Sequence, residues 1–327
     1  MPKISVIIPC YNSFKFMDKC LNSLENQTYK NFEVIVVDDC SNDDSYYQLT
    51  EYQKKTSMDF RVFKNRENIG PGQTRNIAIT KAQGEWLCFC DSDDWYELEF
   101  LEKMINKVEQ LNADMAMCDS YQVFESGNKI LCGYTKNIED YSSKQGLLVH
   151  AKSSLCRLIV RKNLFNRLII SPIYYGEDVA TIPKLIVNAN KIGIVKLPLY
   201  NYYIRSGSAS NTKGKEISES LIEVFNEIRD YIEGNYNEIY KEEIEYIGIN
   251  IVLYGATLNA FKGKQKIKEI RKIVSDYTLE NNNWYKNSYI KKFDFKKRVY
   301  LFCLRYNMYI LNKIYATLHS KYINNKA

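Results

Sequence analysis

The stretch Glu33-Val-Ile-Val-Val-Asp38-Asp39-Cys-Ser41-Asn-Asp43 joins a short run of β-branched residues to an acidic turn. Such runs are typical of buried strands, and polar residues directly after them are typical of a helix start. Three similar runs occur within the first hundred residues, and apolar residues at helical spacing separate them. The predicted strands are 4–9, 33–38, 60–64 and 85–90, and the predicted helices are 14–26, 43–55 and 72–82, with Ser13, Ser41 and Asn42 as N-caps. This alternation predicts an α/β fold with a mostly parallel sheet.

Beyond this region the pattern becomes mixed and then helical. The predicted helices are 98–112 and 178–190, and the predicted strands are 115–124, 130–135 and 191–196. From residue 215 onward the spacing is helical, with breaks expected at Gly234 and at the polar run 281–283. We therefore expect an α/β body at 1–210 and a helical C-terminal extension at 211–327.

Residue counts exclude several kinds of chemistry. The chain has only two histidines, His150 and His319, so a multi-histidine metal site is impossible and carboxylates must do most acid–base work. Its nine cysteines form no Cys-x-x-Cys pair and mostly sit in apolar runs, which indicates buried thiols in a reducing compartment. No signal peptide or membrane-spanning stretch is expected, so we predict a cytoplasmic protein.

Ligands of open parallel sheets bind beyond the carboxyl ends of the strands. Asp91-Ser-Asp93-Asp94 follows such an end, and clustered carboxylates there suit a divalent ion that also contacts substrate phosphates. The alternative is an acidic turn that caps the helix near residue 97. Asp38 and Asp39 end another predicted strand, where a carboxylate can accept from a nucleobase or ribose or can simply start a helix.

A third polar segment, residues 65–76, is a Gly-rich loop that leads into a helix. Backbone N–H groups at such a helix start attract anions, and Arg75 is long enough to reach a phosphate.

Five motifs in order resemble family 2 glycosyltransferases of the GT-A fold over residues 3 to about 100. They are Ser5-Val-Ile-Ile-Pro9-Cys-Tyr11-Asn12, Ser23-Leu-Glu-Asn-Gln27-Thr28-Tyr29, Val37-Asp38-Asp39-Cys-Ser41, Asn68-Ile-Gly70 with Arg75-Asn76, and Gly84-Glu85 leading into Asp91-Ser-Asp93. The resemblance implies a nucleotide-sugar-binding half at 1–95, an acceptor half at 96–210 and a nucleotide-sugar donor, most often a UDP-sugar. It also implies a set of donor-binding residues: Pro9, Tyr11, Asn12, Asp39, Asn68, Gly70, Arg75, Asp91, Ser92, Arg205 and Ser206.

The family pattern further implies a metal and a catalytic base. Asp91 and Asp93 are expected to organise the diphosphate with Mn²⁺ or Mg²⁺, and of the two Asp93 is preferred as the direct ligand. Asp178, supported by Glu177, matches the family's catalytic Glu-Asp pair at the start of a helix. Many relatives carry a further metal-binding histidine near Arg205, and this chain has none there.

A single base on the far side of the anomeric carbon, without a covalent intermediate, predicts an inverting transfer of a sugar to a hydroxyl. The expected acceptor is a glycan or a lipid-linked oligosaccharide in polysaccharide assembly. Two alternatives remain open: a nucleotidylyltransferase, which would usually show a Gly-rich, basic signature after the first strand, and a non-catalytic nucleotide-sugar-binding scaffold.

The charge is unevenly distributed along the chain. Residues 286–327 contain ten Lys and Arg and one acid, Asp294, so this segment carries +9 and residues 1–285 carry −3. Basic residues interleaved with aromatic ones suit an anionic membrane surface, and no nucleic-acid-binding motif accompanies them. A heptad stripe lies within 299–322 and suits packing on the chain's own body or on a second copy: Leu301, Leu304, Met308, Leu311, Tyr315, Leu318 and Tyr322.

Overall fold

The computed structural model describes residues 1–133, 141–150, 153–204 and 214–324, with the backbone only for 321–324. The chain divides into two compact units. Unit 1 comprises Met1–Ser142 and His150–Ile204, and unit 2 comprises Ser143–Val149 and Arg205–Ala327.

Unit 1 is built on one nine-stranded sheet within the described residues. The strands are β1 (Ile4–Cys10), β2 (Phe32–Asp38), β3 (Asp59–Lys64), β4 (Trp86–Phe89), β5 (Trp95–Tyr96), β6 (Met115–Phe124), β7 (Lys129–Cys132), β8 (Leu158–Arg161) and β9 (Ile192–Ile204). Their order is β3-β2-β1-β4-β8-β6-β9-β5, and β7 pairs with β6. The strands β1 to β4 pair in parallel, while β8 is antiparallel to both β4 and β6. The predicted parallel sheet is therefore one half of a mixed sheet.

The helices of unit 1 connect these strands. They are α1 (Asp18–Glu25), α2 (Ser45–Lys55), α3 (Pro71–Lys81), α4 (Phe100–Leu111) and α6 (Glu177–Asn188), while the short α5 (Lys144–His150) lies almost wholly in unit 2. The core lies between these helices and the sheet, and every residue of β2 is buried. Strands this fully covered read as continuous apolar runs, which is why their positions were predictable.

Two predicted helix starts were wrong. The segment 14–26 is a 3-10 turn, Phe14–Phe16, followed by α1. The N-cap of α2 is Asp44 rather than Ser41 or Asn42. The backbone N–H groups of Ser41 and Asn42 instead donate to the side chains of Asp38 and Asn12. The local bond to Asp38 and the bond to Asn12, which is distant in the sequence, hold the two residues in a loop, so the helix begins later than predicted.

Strand β9 is longer than the predicted segment 191–196. It runs to Ile204 because it pairs in parallel with β6 over most of its length, and it also pairs antiparallel with β5 near Asn201. A register shift near Pro198 absorbs the proline, which cannot donate to a sheet ladder.

Unit 2 is helical in its described residues. Besides α5 it contains α7 (Lys215–Tyr236), α8 (Lys241–Gly248), a π-helix (Ile249–Ala256), α9 (Thr257–Lys262), α10 (Ile267–Glu280), α11 (Phe295–Arg305) and α12 (Tyr309–Asn324). The break predicted at Gly234 is wrong: α7 continues through it, since buried side chains at helical spacing up to Ile232 outweigh the roughly 1 kcal/mol cost of one glycine. The break at 281–283 is confirmed, because α10 ends at Glu280.

The prediction about membrane-spanning stretches also needs correction. An 18-residue window in the helical run Lys215–Lys262 reaches a mean hydropathy of 1.2, so by length and composition it could cross a membrane. However, 72% of that window is buried inside the structure. The expectation that the chain has no stretch apolar enough to span a membrane was wrong. The apolar side chains of this stretch form much of the core of unit 2.

The heptad stripe does not form one continuous helix. The chain breaks between Arg305 and Tyr309, where Asn307 adopts a positive φ of 57°. Leu301 and Leu304 are buried, whereas Met308, Leu311 and Leu318 are exposed. An uninterrupted coiled-coil seam over 299–322 is therefore excluded, because the turn separates the two halves of the stripe.

Candidate active site

The carboxyl ends of parallel strands meet at one edge of the sheet of unit 1. Cys10 at the end of β1 pairs with Asp38 at the end of β2, and Ile7 pairs with Phe89 at the end of β4. The segments that follow these strands therefore lie side by side. They contain five of the eleven predicted donor-binding residues, Tyr11, Asn12, Asp39, Asp91 and Ser92, together with the predicted metal ligand Asp93.

Asp39 anchors the Gly-rich loop. Its Oδ1 accepts from Asn65 Nδ2 at 2.8 Å and from the Ile69 N–H at 3.0 Å, and its Oδ2 accepts from the Gly70 N–H at 2.8 Å. Gly70 precedes α3 with a φ of +84°, a conformation that L-residues rarely adopt. The buried carboxylate thus shapes the loop through which α3 begins.

Asn12 organises the neighbouring loop in the same way. It has a positive φ of 50°, and its Oδ1 accepts from the backbone N–H groups of Asn42 at 2.8 Å and Asp43 at 3.3 Å. Tyr11 beside it is exposed, and its hydroxyl accepts from Asn42 Nδ2 at 3.3 Å. The Tyr11 ring is thereby available at the surface of a loop that is held in place.

Arg75 links the acidic turn after β4 to the start of α6. Its guanidinium is only 3% exposed and donates to Asp91 Oδ1 at 2.6 Å and to Glu177 Oε1 at 3.0 Å. Burial opposes its positive charge, but the carboxylates of Asp91, Asp178 and Glu177 outweigh burial and hold its pKa well above the ordinary value. This one cation brings together acidic groups that lie almost ninety residues apart in the sequence.

The carboxylates of the acidic turn have different surroundings. Asp94 is fully buried and accepts from the Tyr200 hydroxyl and, at 2.7 Å, from the Tyr203 N–H. Burial, followed by the charges of Asp91 and Asp93, raises the Asp94 pKa. Asp91 and Asp93 are partly exposed. Asp94 therefore holds the turn in place, while Asp91 and Asp93 remain partly accessible to solvent.

The carboxylate oxygens of the acidic turn suit a hard divalent ion only if oxygens of the substrate complete its coordination. Among the described residues no group of three or more His, Cys, Asp or Glu side chains is arranged to hold a metal ion. Asp91 and Asp93 offer carboxylate oxygens, and one oxygen of Asp91 is already engaged by Arg75. Mg²⁺ and Mn²⁺ commonly take one or two protein carboxylates with phosphate oxygens and water, so the residues fit that type of site.

Asp178 lies in the first turn of α6, behind Gly176, which adopts a positive φ of 107°. Its Oδ2 accepts from the Leu155 N–H at 3.1 Å, whereas its Oδ1 is buried without a hydrogen-bond partner in the described structure. Burial raises the pKa of Asp178 to about 7; Arg75 opposes this increase, while Glu177 and Asp91 add to it. A carboxylate with this pKa can take and release a proton near neutral pH.

Four predicted donor-binding residues remain to be located. Pro9 lies inside β1, beyond the last residue of β1 that pairs with β4, so its missing N–H removes no bond to that strand. Asn68 is exposed in the loop before α3. Arg205 and Ser206 lie outside the described residues, and their binding roles stay predictions.

The structure adds residues to which the sequence analysis assigned no role. The Tyr174 ring packs against Gly70, where an added Cβ would lie 3.2 Å from Tyr174 Cδ2. Burial, with smaller contributions from Tyr175, Asp39 and Tyr11, raises the pKa of Tyr174, so this exposed ring stands close to the loops after β1 and β2. Its position just before the Glu-Asp pair was the available signal.

Gly72 marks a close approach of α3 to the start of α6. A Cβ at this position would lie 2.3 Å from the Ser171 carbonyl oxygen and 3.2 Å from Glu177 Cβ. Only glycine allows the two segments to come this near, and the approach sets the distance from Arg75 to Glu177.

The chain is similar to known proteins in both sequence and fold. Residues 5–164 match the family model for glycosyl transferase family 2. The chain is 30% identical to glycosyltransferase GlyA of Streptococcus pneumoniae serotype 4 over 69% of its own length but spans only 34% of GlyA. It is 29% identical to glycosyltransferase GlyG of the same organism over 68% of its length and 78% of GlyG.

A solved structure supports the fold. The crystal structure of Staphylococcus aureus TarS 1–349 in complex with UDP-GlcNAc superposes with a TM-score of 0.73 at 23% identity, covering 98% of this chain and 92% of that one. The mixed sheet with flanking helices and the helical C-terminal region follow the same plan, which confirms the GT-A fold. The chain belongs to glycosyl transferase family 2 and is a glycosyltransferase.

Proposed function

We propose that this protein is an inverting, metal-dependent glycosyltransferase that moves a sugar from a UDP-sugar to a hydroxyl of a glycan or lipid-linked acceptor. The observation that carries this proposal is Asp178. Within the described part of the chain its Oδ1 is buried without a hydrogen-bond partner, and its pKa is raised to about 7. A base needs a lone pair that no hydrogen bond already occupies and a pKa near the working pH, and Asp178 combines the two.

The chain's own residues divide the work of one displacement. Asp178 accepts the proton of the acceptor hydroxyl while that oxygen forms its bond to the anomeric carbon. The bond from the anomeric carbon to the nucleoside diphosphate breaks in the same step, and its electron pair leaves with the diphosphate. Because attack and departure occur on opposite faces without a covalent intermediate, the anomeric configuration inverts. Arg75 keeps Glu177 beside the base and Asp91 beside the diphosphate.

A divalent ion held by Asp91 and Asp93 would neutralise charge on the departing diphosphate when it is bound. We assign the donor nucleotide to the loops after β1 and β2. Tyr11 and Tyr174 present exposed aromatic surface there, and Asp39 fixes the backbone of the Gly-rich loop between them.

The choice of UDP and of a surface polysaccharide is supported by the relatives. TarS, named as a poly(ribitol-phosphate) β-N-acetylglucosaminyltransferase, is 25% identical over 82% of this chain and 47% of its own length. Its structures contain UDP and UDP-GlcNAc. We therefore place the reaction on the cytoplasmic side of the cell envelope, with a hydroxyl-bearing polymer or its lipid-linked precursor as acceptor.

The experiment has a binding arm and a turnover arm. Thermal unfolding of the full chain with Mn²⁺ is followed in a panel of UDP-, GDP- and dTDP-sugars, since a ligand at 100 times its Kd stabilises by about 2.7 kcal/mol. Release of nucleoside diphosphate is then measured for the wild type, Asp178→Asn and the control Asp276→Asn, an exposed residue of α10. Donor hydrolysis, with water in place of the acceptor, supplies a readout for each.

We expect a UDP-sugar to give the largest thermal shift and Asp178→Asn to bind it while losing roughly 10²- to 10⁴-fold in turnover. Asp276→Asn should match the wild type. Turnover retained by Asp178→Asn would remove Asp178 as the base. Thermal shifts that are absent for all UDP-sugars but present for another nucleotide would overturn the donor assignment.

A further inference from the structure

Helix α11 has an apolar face that points away from the core of unit 2. Its inner side buries Tyr300, Leu301, Cys303 and Leu304. The opposite side carries Phe295, Val299, Phe302 and Tyr306, at i, i+4, i+7 and i+11, and each is between 42% and 71% exposed. Residues at this spacing lie on one face of a helix. Large apolar side chains concentrated on an outward face indicate a binding surface rather than ordinary exposure.

Helix α12 repeats the arrangement. Tyr309, Asn312 and Ala316 are buried on its inner side. The outer side carries Ile310, Leu311, Ile314 and Leu318, which are 45% to 70% exposed. Two consecutive helices that pack on each other thus both present apolar outer faces. These eight side chains are called the outer apolar face.

Basic residues border this face. On α11, Arg298 and Arg305 lie along one flank and Lys296 along the other, and all three are exposed. Residues 286–320 contain eight Lys and Arg and only one acid, Asp294. Asp294 is the N-cap of α11, and its Oδ1 accepts from the Lys297 N–H at 3.0 Å. The border is therefore strongly cationic.

We propose that the outer apolar face and its basic border dock this protein on a membrane that contains anionic lipids. An apolar strip between cationic flanks matches the boundary between acyl chains and negatively charged headgroups. This inference does not depend on the donor, the acceptor or the catalytic base.

A second copy of the chain is the competing occupant, and the charge argues against it. In a two-fold symmetric dimer the same patch meets itself, so the basic borders of both copies would face each other. Like charges at close range oppose such an interface, whereas anionic lipids attract the same residues. The surface is therefore better matched to a lipid bilayer.

Vesicle co-sedimentation of the full chain tests the proposal. Phosphatidylglycerol–phosphatidylcholine vesicles are compared with phosphatidylcholine alone, at low and high salt. The charge variant is Lys296→Gln with Arg298→Gln and Arg305→Gln, and the apolar variant is Phe295→Ser with Phe302→Ser. The matched control, Lys55→Gln with Lys268→Gln and Lys272→Gln, removes the same charge from exposed residues outside α11 and α12. Circular dichroism confirms that each variant is folded.

We expect binding to the anionic vesicles that weakens with salt. The charge variant should lose roughly 100-fold in partitioning, at roughly fivefold for each basic residue. The apolar variant should lose at least tenfold, because each phenylalanine no longer inserts. The control variant should bind within a few-fold of the wild type.

Three results would overturn the proposal. The first is no sedimentation with anionic vesicles, and the second is equal binding by the charge variant and the control. The third comes from light scattering without vesicles: a wild-type dimer that becomes a monomer in the apolar variant would show that a second copy covers the face.

Discussion

Asp178→Asn should change the pH dependence of stability as well as reduce turnover. The ordinary pKa of an aspartate is 3.8, and burial raises that of Asp178 to about 7. The folded protein therefore keeps a proton on this carboxyl over a range in which the unfolded chain has lost it. Stability of the wild type consequently falls as pH rises from about 4 to about 7 and levels off above that.

The size of the effect follows from the same two values. The gap between 3.8 and about 7 is roughly three pH units. At about 1.4 kcal/mol per unit, this sets an upper limit of about 4 kcal/mol on the wild-type penalty at pH 8. Asparagine does not titrate, so the stability of the variant minus that of the wild type should grow with pH across this window.

The assay must report on unit 1 alone. Trp86 and Trp95 lie in unit 1 and Trp284 in unit 2, and the chain has only these three tryptophans. A Trp284→Phe background therefore restricts tryptophan fluorescence to unit 1. Urea unfolding at constant ionic strength between pH 4.5 and 8 then gives the free energy of unfolding for each variant.

Asp276→Asn on α10 serves as the control and should show a flat difference from the wild type. For Asp178→Asn, a difference that stays constant from pH 4.5 to 8 would refute the raised pKa. A difference that shrinks as pH rises would show that Asp178 is instead stabilised as a carboxylate, and the base assignment would lose its electrostatic support.

Three further substitutions probe the framework of the site. Gly72→Ala should lower both stability and turnover, because the added Cβ would lie 2.3 Å from the Ser171 carbonyl oxygen; thermal unfolding and donor hydrolysis measure the two losses, and an unchanged protein would disprove the close approach. Arg75→Gln should cost up to about 3 kcal/mol at pH 7.5, since Glu177 and Asp178 lose a buried cation while the partly exposed Asp91 is screened by solvent. Urea unfolding at pH 5, where Asp178 with its pKa of about 7 is protonated, should show a smaller loss, and a larger one would contradict this account. Tyr200→Phe should cost about 1–3 kcal/mol, because buried Asp94 loses a donor; a neutral effect on the urea midpoint would mean that the hydroxyl does not stabilise the carboxylate.

The parallel half of the sheet could be predicted because its signals are local. β2 runs over Phe32–Asp38 against a predicted 33–38, and β3 over Asp59–Lys64 against 60–64. A strand buried on both faces requires a continuous run of apolar side chains, so a few adjacent residues are enough to predict its position. The start of α2 and the full length of β9 could not be found in this way, because hydrogen bonds to residues distant in the sequence determine them.

The acidic turn shows where prediction of the site stopped. Asp91, Asp93 and Asp94 look alike in the sequence, yet Asp94 is buried beneath Tyr200, 106 residues away. Which carboxylate is structural depends on a strand that arrives from the other half of unit 1. Residue type and spacing show that these carboxylates could bind a cation. Which of them is structural depends on how deeply each is buried and on its hydrogen-bond partners.

The sequence by itself determined the family, the parallel sheet, the acids at the strand ends and the unequal distribution of charge. These features depend on residue type and short-range spacing, which the order of residues states directly. Only the tertiary structure decided that Arg75 joins Asp91 to Glu177, that Asp178 has a buried oxygen with no hydrogen-bond partner among the described residues, and that α11 turns an apolar face outward. Each of these depends on exclusion of water or on charges from distant segments, and neither exists until the chain has folded.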